Sequence, residues 1–255
     1  MIRNPNWYYG WHFLPADGCL AHCETKIKVK AGEHYFVEPP IIACENGLHA
    51  SARALDALRH APGSIVERVI LSGEIVLHGE IVLRTNKAAA SERTVVKLED
   101  ATNTLHEFAC QCAEDVLHLC DKPVEAKNAI DTKRRWLRSE VTDCELDVAR
   151  AAAYGFARDA AYAAAHAAAH YDHRIAAARD AAYAAAHAAA HYDLFWITAA
   201  YNAAYAAARA AAHAAARDTA CAATFDATFD AIYAVHNARL EQMLFSLLGL
   251  DPLVD

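Results

Sequence analysis

Between Cys144 and Leu248 the chain has no proline and a single glycine, Gly155. Those two residue types interrupt helices most effectively, so nothing local breaks a helical tract there. Also missing is any run of about 20 uncharged apolar residues, because Arg, Asp or His recurs every few positions. No membrane span is therefore expected. The eight cysteines include no CxxC pair: Cys19/Cys23 and Cys110/Cys112 are spaced CxxxC and CxC, and the rest stand singly. This argues against a zinc ribbon and predicts reduced thiols in small apolar sites. A basic excess is absent too. The formal net charge of −8 speaks against a general nucleic-acid binder, which needs clustered Lys and Arg to neutralise phosphates. The opening MIRNPNWYYGW has no basic segment followed by an apolar run, so the expectation is a chain without a secretory leader, soluble in the cytoplasm of a bacterial host.

What is present divides in two. Glycine concentrates in residues 1–120, where the apolar pattern is short and strand-like. Trp7 to Leu14 reads as a strand ending at Pro15, with a turn near Asp17-Gly18. Weaker strands follow at Thr25–Val29, His34–Val37 and Ile41–Cys44. Ser51 to His60 has helical spacing at Ala54, Leu55 and Leu58, with Ser51 placed to cap it. Ile65–Leu71 is a strand, Gly73 a turn, Glu74–Leu77 and Glu80–Leu83 a hairpin about His78-Gly79, and Thr94–Leu98 a further strand. After Asp100 the period becomes helical, with Leu105, Phe108, Ala109, Cys112, Val116 and Leu119 on one face. The expected fold class is α+β. A small, mainly antiparallel β domain with flanking helices (1–120) leads through a connector helix (121–143), beginning near Asp131, to an alanine-rich all-α module (144–250).

CENGLHASARALDALRHAPG (Cys44–Gly63) resembles the signature of an uncharacterised domain family common in phages and prophages, a C-E-x-G-[LF]-H-A turn, an A-L-D-A-L helix and a Y-A-P-G stop. ERVILSGEIV, NKAAASERTVV and DATNTLHEFA follow in the family's order, and His60 stands where tyrosine is usual. The resemblance spans roughly residues 8–116 and implies a phage or prophage origin with an alanine-rich tail, and no named activity. A looser likeness is to the nicotinamide pocket of ADP-ribosyltransferase-like enzymes. GLHAS and LSGEIV (Leu71–Val76) would occupy that pocket's turn and strand, and His12 would stand for its first-strand histidine. Such chemistry needs a glutamate to stabilise an oxocarbenium-like transition state, for which Glu92 is the nearest candidate.

Four residues form the candidate ligand set: His12, His49, Arg84 and Arg93. His49, at the end of a turn, either bonds nearby backbone or borders a pocket. Arg84 and Arg93, with Lys87 between them, make a small basic stretch that is either a solvated face or an anion-binding rim. If the domain has a pocket, His49 should border it.

The alanine tract carries an exact duplication. Ala157–Asp172, ARDAAYAAAHAAAHYD, recurs as Ala178–Asp193, 21 positions later. Large residues stand four apart: Tyr154, Arg158, Tyr162, His166 and His170; then Arg179, Tyr183, His187, His191 and Phe195; then Tyr201 through Tyr233. A spacing of four overshoots the helical repeat of about 3.6, so each step turns about 40° around the axis. Two architectures fit: short antiparallel helices turning near Tyr171-Asp172-His173 and Tyr192-Asp193-Leu194, or longer helices associating through alanine faces, within one chain or between chains. The i,i+4 pairs His166/His170 and His187/His191 have zinc-compatible spacing but lack a completing Cys or Glu, so they read better as a surface or interface stripe. Tyr162, His166, His170, Tyr183, His187 and His191 are the candidate partner-binding residues. At the end, Ile232, Val235, Leu240, Met243, Leu244 and Leu247 form an apolar stripe, with Gly249 as the stop.

Two functional readings follow, neither needing a metal or cofactor. In the first, the chain is a non-enzymatic phage or prophage accessory protein, with the helices self-associating or capturing a protein partner such as a host defence factor. In the second, it is an ADP-ribosyltransferase-like or nucleotide-binding domain with a pocket near His12, His49 and Arg93. A concave site gathering those three side chains favours the second.

Overall fold

The computed structural model describes residues 7–20, 26–43, 45–78, 87–166, 180–181, 183–185, 187–189, 196–219 and 222–252. They show an α+β protein: an antiparallel sheet, and a helical module in the C-terminal half. Residues 1–104 with 239–255 form one compact unit, and residues 105–238 another.

The first unit contains β1 (Tyr8–Leu14), β2 (Cys19–Leu20), β3 (Ile27–Lys28), β4 (His34–Phe36), β5 (Leu48–Ser51), α1 (Ala54–Leu58), β6 (Ile65–His78) and β7 (Lys87–Asp100). The strand order is β4-β7-β5-β1-β6, and β6 pairs again with β7. That last pairing returns the order to one of its own members, so β7, β5, β1 and β6 form a closed ring of hydrogen-bonded neighbours. Closure leaves those four strands no open edge between them. Leu14, Val69, Leu71 and Val95 pack together with Ala50, Ala88 and Ala90. Ala88–Ala90 lie where β7 bonds to β5 on one side and β6 on the other.

Several local expectations hold. Pro15 to Gly18 closes a turn, Gly18 N donating to Pro15 O at 2.8 Å. Others are overturned. Gly73 is not a turn: β6 runs unbroken from Ile65 to His78, with a register shift between Ser72 and Ile75. Gly73 sits in that irregularity at φ +73°, where an added Cβ would meet Ser91 Oγ at 2.2 Å. A β-bulge needs such a residue and lets a long strand bend without losing its partner. Ser51 does not cap α1. It lies in β5, paired with Trp11 and Lys87, and the helix begins at Ala54. The amide of Ala54 donates instead to Glu241 Oε1 at 3.2 Å, a cap supplied from 187 residues away. Of the strand expected at Ile41–Cys44, the described residues 41–43 form none; Ile42 makes one isolated bridge to Asn46.

The C-terminal residues of the first unit end a helix of Ala222–Leu248. The C-terminal part of its apolar stripe packs within this unit, while Val235 of the same stripe is exposed. Leu240, Leu244 and Leu248 are buried. Phe245 meets the Trp11 ring edge-on at 4.9 Å. The Arg68 guanidinium stands 4.8 Å from the Trp11 ring and 5.4 Å from that of Phe245. The helix stops at Gly249 (φ +64°), with Leu250 N donating to Phe245 O, the 6→1 bond of a Schellman ending.

In the second unit are most of α2 (Thr102–Asp115), a 3₁₀ turn (Leu117–Leu119), α3 (Pro123–Leu137), α4 (Asp143–His166), helical residues within 180–188, α5 (Trp196–Thr219) and the first part of α6 (Ala222–Leu248). Helix α3 starts at Pro123 rather than near Asp131, because a proline costs no hydrogen bond in the first helical turn. Its basic run is spent internally. Arg134 binds both Glu107 and Glu114, and Lys133 is buried with its ammonium 4.1 Å from the Trp136 ring. Thr142 and Glu145 form a reciprocal capping box at the start of α4.

Helices α4, α5 and α6 are 24, 24 and 27 residues long, longer than the short-hairpin architecture requires. The turn positions of that architecture, residues 171–173 and 192–194, lie outside the described residues. The four-residue ladders face one another. Tyr205 meets Phe229 at 5.3 Å and His213 meets Phe225 at 4.7 Å, which sets α5 and α6 antiparallel. Tyr154 of α4 contacts Tyr183 and His187 of the second repeat copy. Ala203, Ala204, Ala207, Ala208, Ala210 and Ala212 are buried within a single chain. Cys110, Cys112 and Cys120 are buried and in no disulfide. Among the described residues no helix is long and apolar enough to cross a membrane.

Replacing Thr142 by alanine removes the exposed cap and should lower unfolding stability by about 1 kcal/mol, read from urea denaturation. Burial pushes the His187 imidazole down to about 4. The unfolded chain takes up that proton below about pH 6.5, so the neutral ring's contribution is complete above that pH and is lost as pH falls toward 4. The melting temperature of His187→Gln should therefore drop less than that of the parent between pH 7 and 5; an identical drop would contradict this.

Candidate functional site

A cavity of about 480 Å³ opens in the first unit, walled by β1, β4, β5, β7 and the segments that connect them. Tyr35 and Phe36 are aromatic residues of its lining; Trp11 and Phe13 border it from β1 with their side chains on the other face of that strand, Trp11 against Phe245 and Arg68. Its polar lining includes His12, His49, His60, Lys87 and Arg93, with Ser51 and Cys19 nearby. His12, His49 and Arg93, three of the four candidate ligand residues, thus border one concavity. Arg84 lies outside the described residues.

Strand register explains the central cluster. His12 on β1 is directly opposite Glu67 on β6, and Tyr35 on β4 is opposite Arg93 on β7. His12 Nδ1 lies 2.6 Å from Glu67 Oε1, and Arg93 Nη1 lies 3.2 Å from the same oxygen. The Glu67 and Arg93 side chains are 0% and 1% exposed, whereas His12 is 26% exposed. Arg93 Nη1 also reaches the carbonyl of His49 at 3.5 Å. His49 therefore serves both structure and site: its backbone steadies Arg93 while the residue borders the cavity.

The protonation pattern follows from these partners. A carboxylate only accepts, so His12 Nδ1 carries the hydrogen that bonds Glu67. Burial lowers the His12 pKa from its ordinary value, with the Glu67 bond opposing and the Arg93 charge assisting. The ring is accordingly neutral at pH 7, with its lone pair on Nε2. Burial also lowers the Arg93 pKa, with Glu67 opposing, yet a guanidinium keeps its charge. Arg93 Nε and Nη2 and Glu67 Oε2 are buried and have no hydrogen-bond partner among the described residues. Unanswered buried donors and acceptors cost about 1–3 kcal/mol each and call for an explanation.

Glu67 is not among the four candidate ligand residues, although its context in the sequence carries a signal. Glu67-Arg68 is a charged pair inside the otherwise apolar run SIVERVIL. Such a pair costs too much at a strand centre unless each member has a partner. Glu92 does not line the cavity; it accepts a hydrogen bond from Ser72 Oγ at 2.8 Å. Of the helical candidates, Tyr183 and His187 stand against Tyr154, whose hydroxyl lies 3.2 Å from His187 Nδ1. His170 and His191 lie outside the described residues, as do the side chains of Tyr162 and His166. Among the described residues no group of three His, Cys, Asp or Glu side chains is placed to hold a metal ion.

No family model matches the chain, and neither a curated protein nor a solved structure does.

Arg93→Met alone strands the Glu67 carboxylate and should cost about 3–5 kcal/mol of stability. In a double-mutant cycle with Glu67→Leu, the pair should recover more than half of that loss, measured by urea unfolding. Additive losses would mean the ion pair is not coupled.

Proposed function

We propose that the first unit is a small-ligand-binding domain. Its ligand carries an aromatic ring, is of roughly nucleoside size, and meets the polar groups of His12 and His49. The observation that supports this is the convergence of His12, His49 and Arg93 on one cavity. The volume falls within the roughly 300–1,000 Å³ typical of small-molecule sites, and aromatic walls with a few placed polar groups are their usual composition. Nucleotides are one class that meets this description, in keeping with the second sequence reading. A transferase of the ADP-ribosylating kind is less well supported, because its candidate glutamate, Glu92, is not in the cavity lining.

Capture of a host factor by a phage or prophage accessory protein rests on the sequence resemblance. The buried alanines of α5 are already covered within one chain, so self-association is not required to satisfy them.

Thermal-shift and calorimetric titration of the full chain with nucleotides, nucleosides and aromatic carbonyl compounds tests the proposal. At least one class should bind saturably at one site per chain. Phe36→Ser, an exposed change in the wall, should weaken that binding by about tenfold, the equivalent of about 1.4 kcal/mol, while leaving the protein folded. Failure of every class to bind would remove the reading.

A further inference from the structure

We propose that the ligand of this cavity is anionic, a phosphate monoester attached to an aromatic ring, with the phosphate seated between Lys87 and His60. The proposal rests on the ligand-binding reading above and adds the charge of the ligand and its direction in the cavity. Lys87 and His60 both line the cavity, and they come from different elements. Lys87 opens β7, opposite Ser51 of β5, and His60 follows α1. Lys87 is half-buried, and His60 is exposed beside the exposed Arg59.

The charges around the two histidines identify the positive end. Lys87 bears on the rings of both His12 and His60, so its ammonium lies within electrostatic reach of each. Arg59 also bears on His60. The opposing charge at His60 is Asp56, whose two oxygens accept from Arg53 Nε and Nη2 at 2.7 and 3.2 Å. At His12 the other charges are Glu67 and Arg93, which face each other at 3.2 Å. Among the described residues of the lining Glu45 is the one carboxylate, and it is not among the charges that act on either ring. With Asp56 held by Arg53 and Glu67 by Arg93, the charges that dominate this end are those of Lys87 and Arg59. That is a cationic corner in a chain whose formal net charge is −8.

A phosphate monoester carries about −1.5 to −2 at pH 7, which matches two cations better than a single carboxylate does. Lysine binds phosphate as a point charge, and an imidazole N–H adds a directed hydrogen bond. A partly enclosed site is also screened less by salt than an open surface. The aromatic end is separate. Tyr35 and Phe36 of β4 line the cavity, and Tyr35 stands opposite Arg93 on β7. Arg93 and Lys87 belong to the same strand, at most about 20 Å apart along it at about 3.3 Å per residue. An elongated ligand, with a ring at one end and a phosphate at the other, reaches both.

The full chain would be titrated calorimetrically with adenosine monophosphate and with adenosine. The monophosphate should bind about tenfold tighter or more, and that advantage should shrink as sodium chloride rises from about 0.05 to 0.5 M. In Lys87→Met the two affinities should converge. The His60 imidazole, followed by NMR, is a second readout. Burial lowers its pKa from the ordinary value, with Lys87 and Arg59 assisting and Asp56 opposing. Bound monophosphate should raise it, because a nearby anion favours the charged ring, whereas adenosine should leave it in place. If Lys87→Met folds poorly, the His60 titration of the parent decides. Adenosine binding as tightly as its monophosphate, or a His60 pKa that the monophosphate leaves unmoved, overturns the anionic inference and leaves the ligand-binding reading standing. An advantage fully kept in Lys87→Met overturns the placement of the phosphate. Failure of both compounds, while an aromatic carbonyl compound binds, overturns the phosphate class alone; absence of binding by every class overturns both readings.

Discussion

The antiparallel pairing of β6 with β7 is the constraint on which the first unit depends. Each strand is 14 residues long, and they stay paired almost from end to end. Strands of that length cannot remain flat, since adjacent strands twist and a bulge adds local bend. The shifts at Arg68/Val69 and Ser72/Ile75 take up that bend. With β6 and β7 held together, β1 and β5 bridge their other edges and the ring closes. The cavity lies beside that ring, and register alone sets His12 against Glu67 and Tyr35 against Arg93.

A second constraint is electrostatic. Placing a carboxylate and a guanidinium in a protein interior carries a desolvation penalty that their mutual attraction only partly offsets. Glu67 Oε1 takes both His12 and Arg93, while its second oxygen and two Arg93 nitrogens are left unanswered. The opposite face of the same strands carries a second buried arginine. There Arg68 is sandwiched against Trp11 and Phe245, where aromatic faces receive its charge.

The helical unit solves a different problem. Alanine favours the helix but buries little area, so close and extensive contact has to replace large side chains. The ladders of tyrosine, histidine and phenylalanine supply the bulk. They meet between α5 and α6, and between α4 and the second repeat copy. An i,i+4 ladder drifts around its helix, so it can contact one neighbour only over a few steps before passing to another. Helices of 24 to 27 residues are long enough for that.

Composition and period by themselves determined the α+β class, the helical module, the turn at Asp17-Gly18, the Gly249 stop and the apolar stripe that ends the last helix. These are local properties: propensity, spacing and the conformational freedom of single residues. His12 stood out through the likeness to a nicotinamide pocket, His49 at the end of a turn and Arg93 in a small basic stretch. Only the tertiary structure decided that Gly73 bends a strand rather than ending it, that Ser51 belongs to a ladder rather than a cap, and that Glu241 caps α1. It alone brought Glu67 behind His12. In each case the deciding partner lies far away in the chain, and the energy of pairing a strand or burying a charge exceeds the local preference that the residue would follow alone.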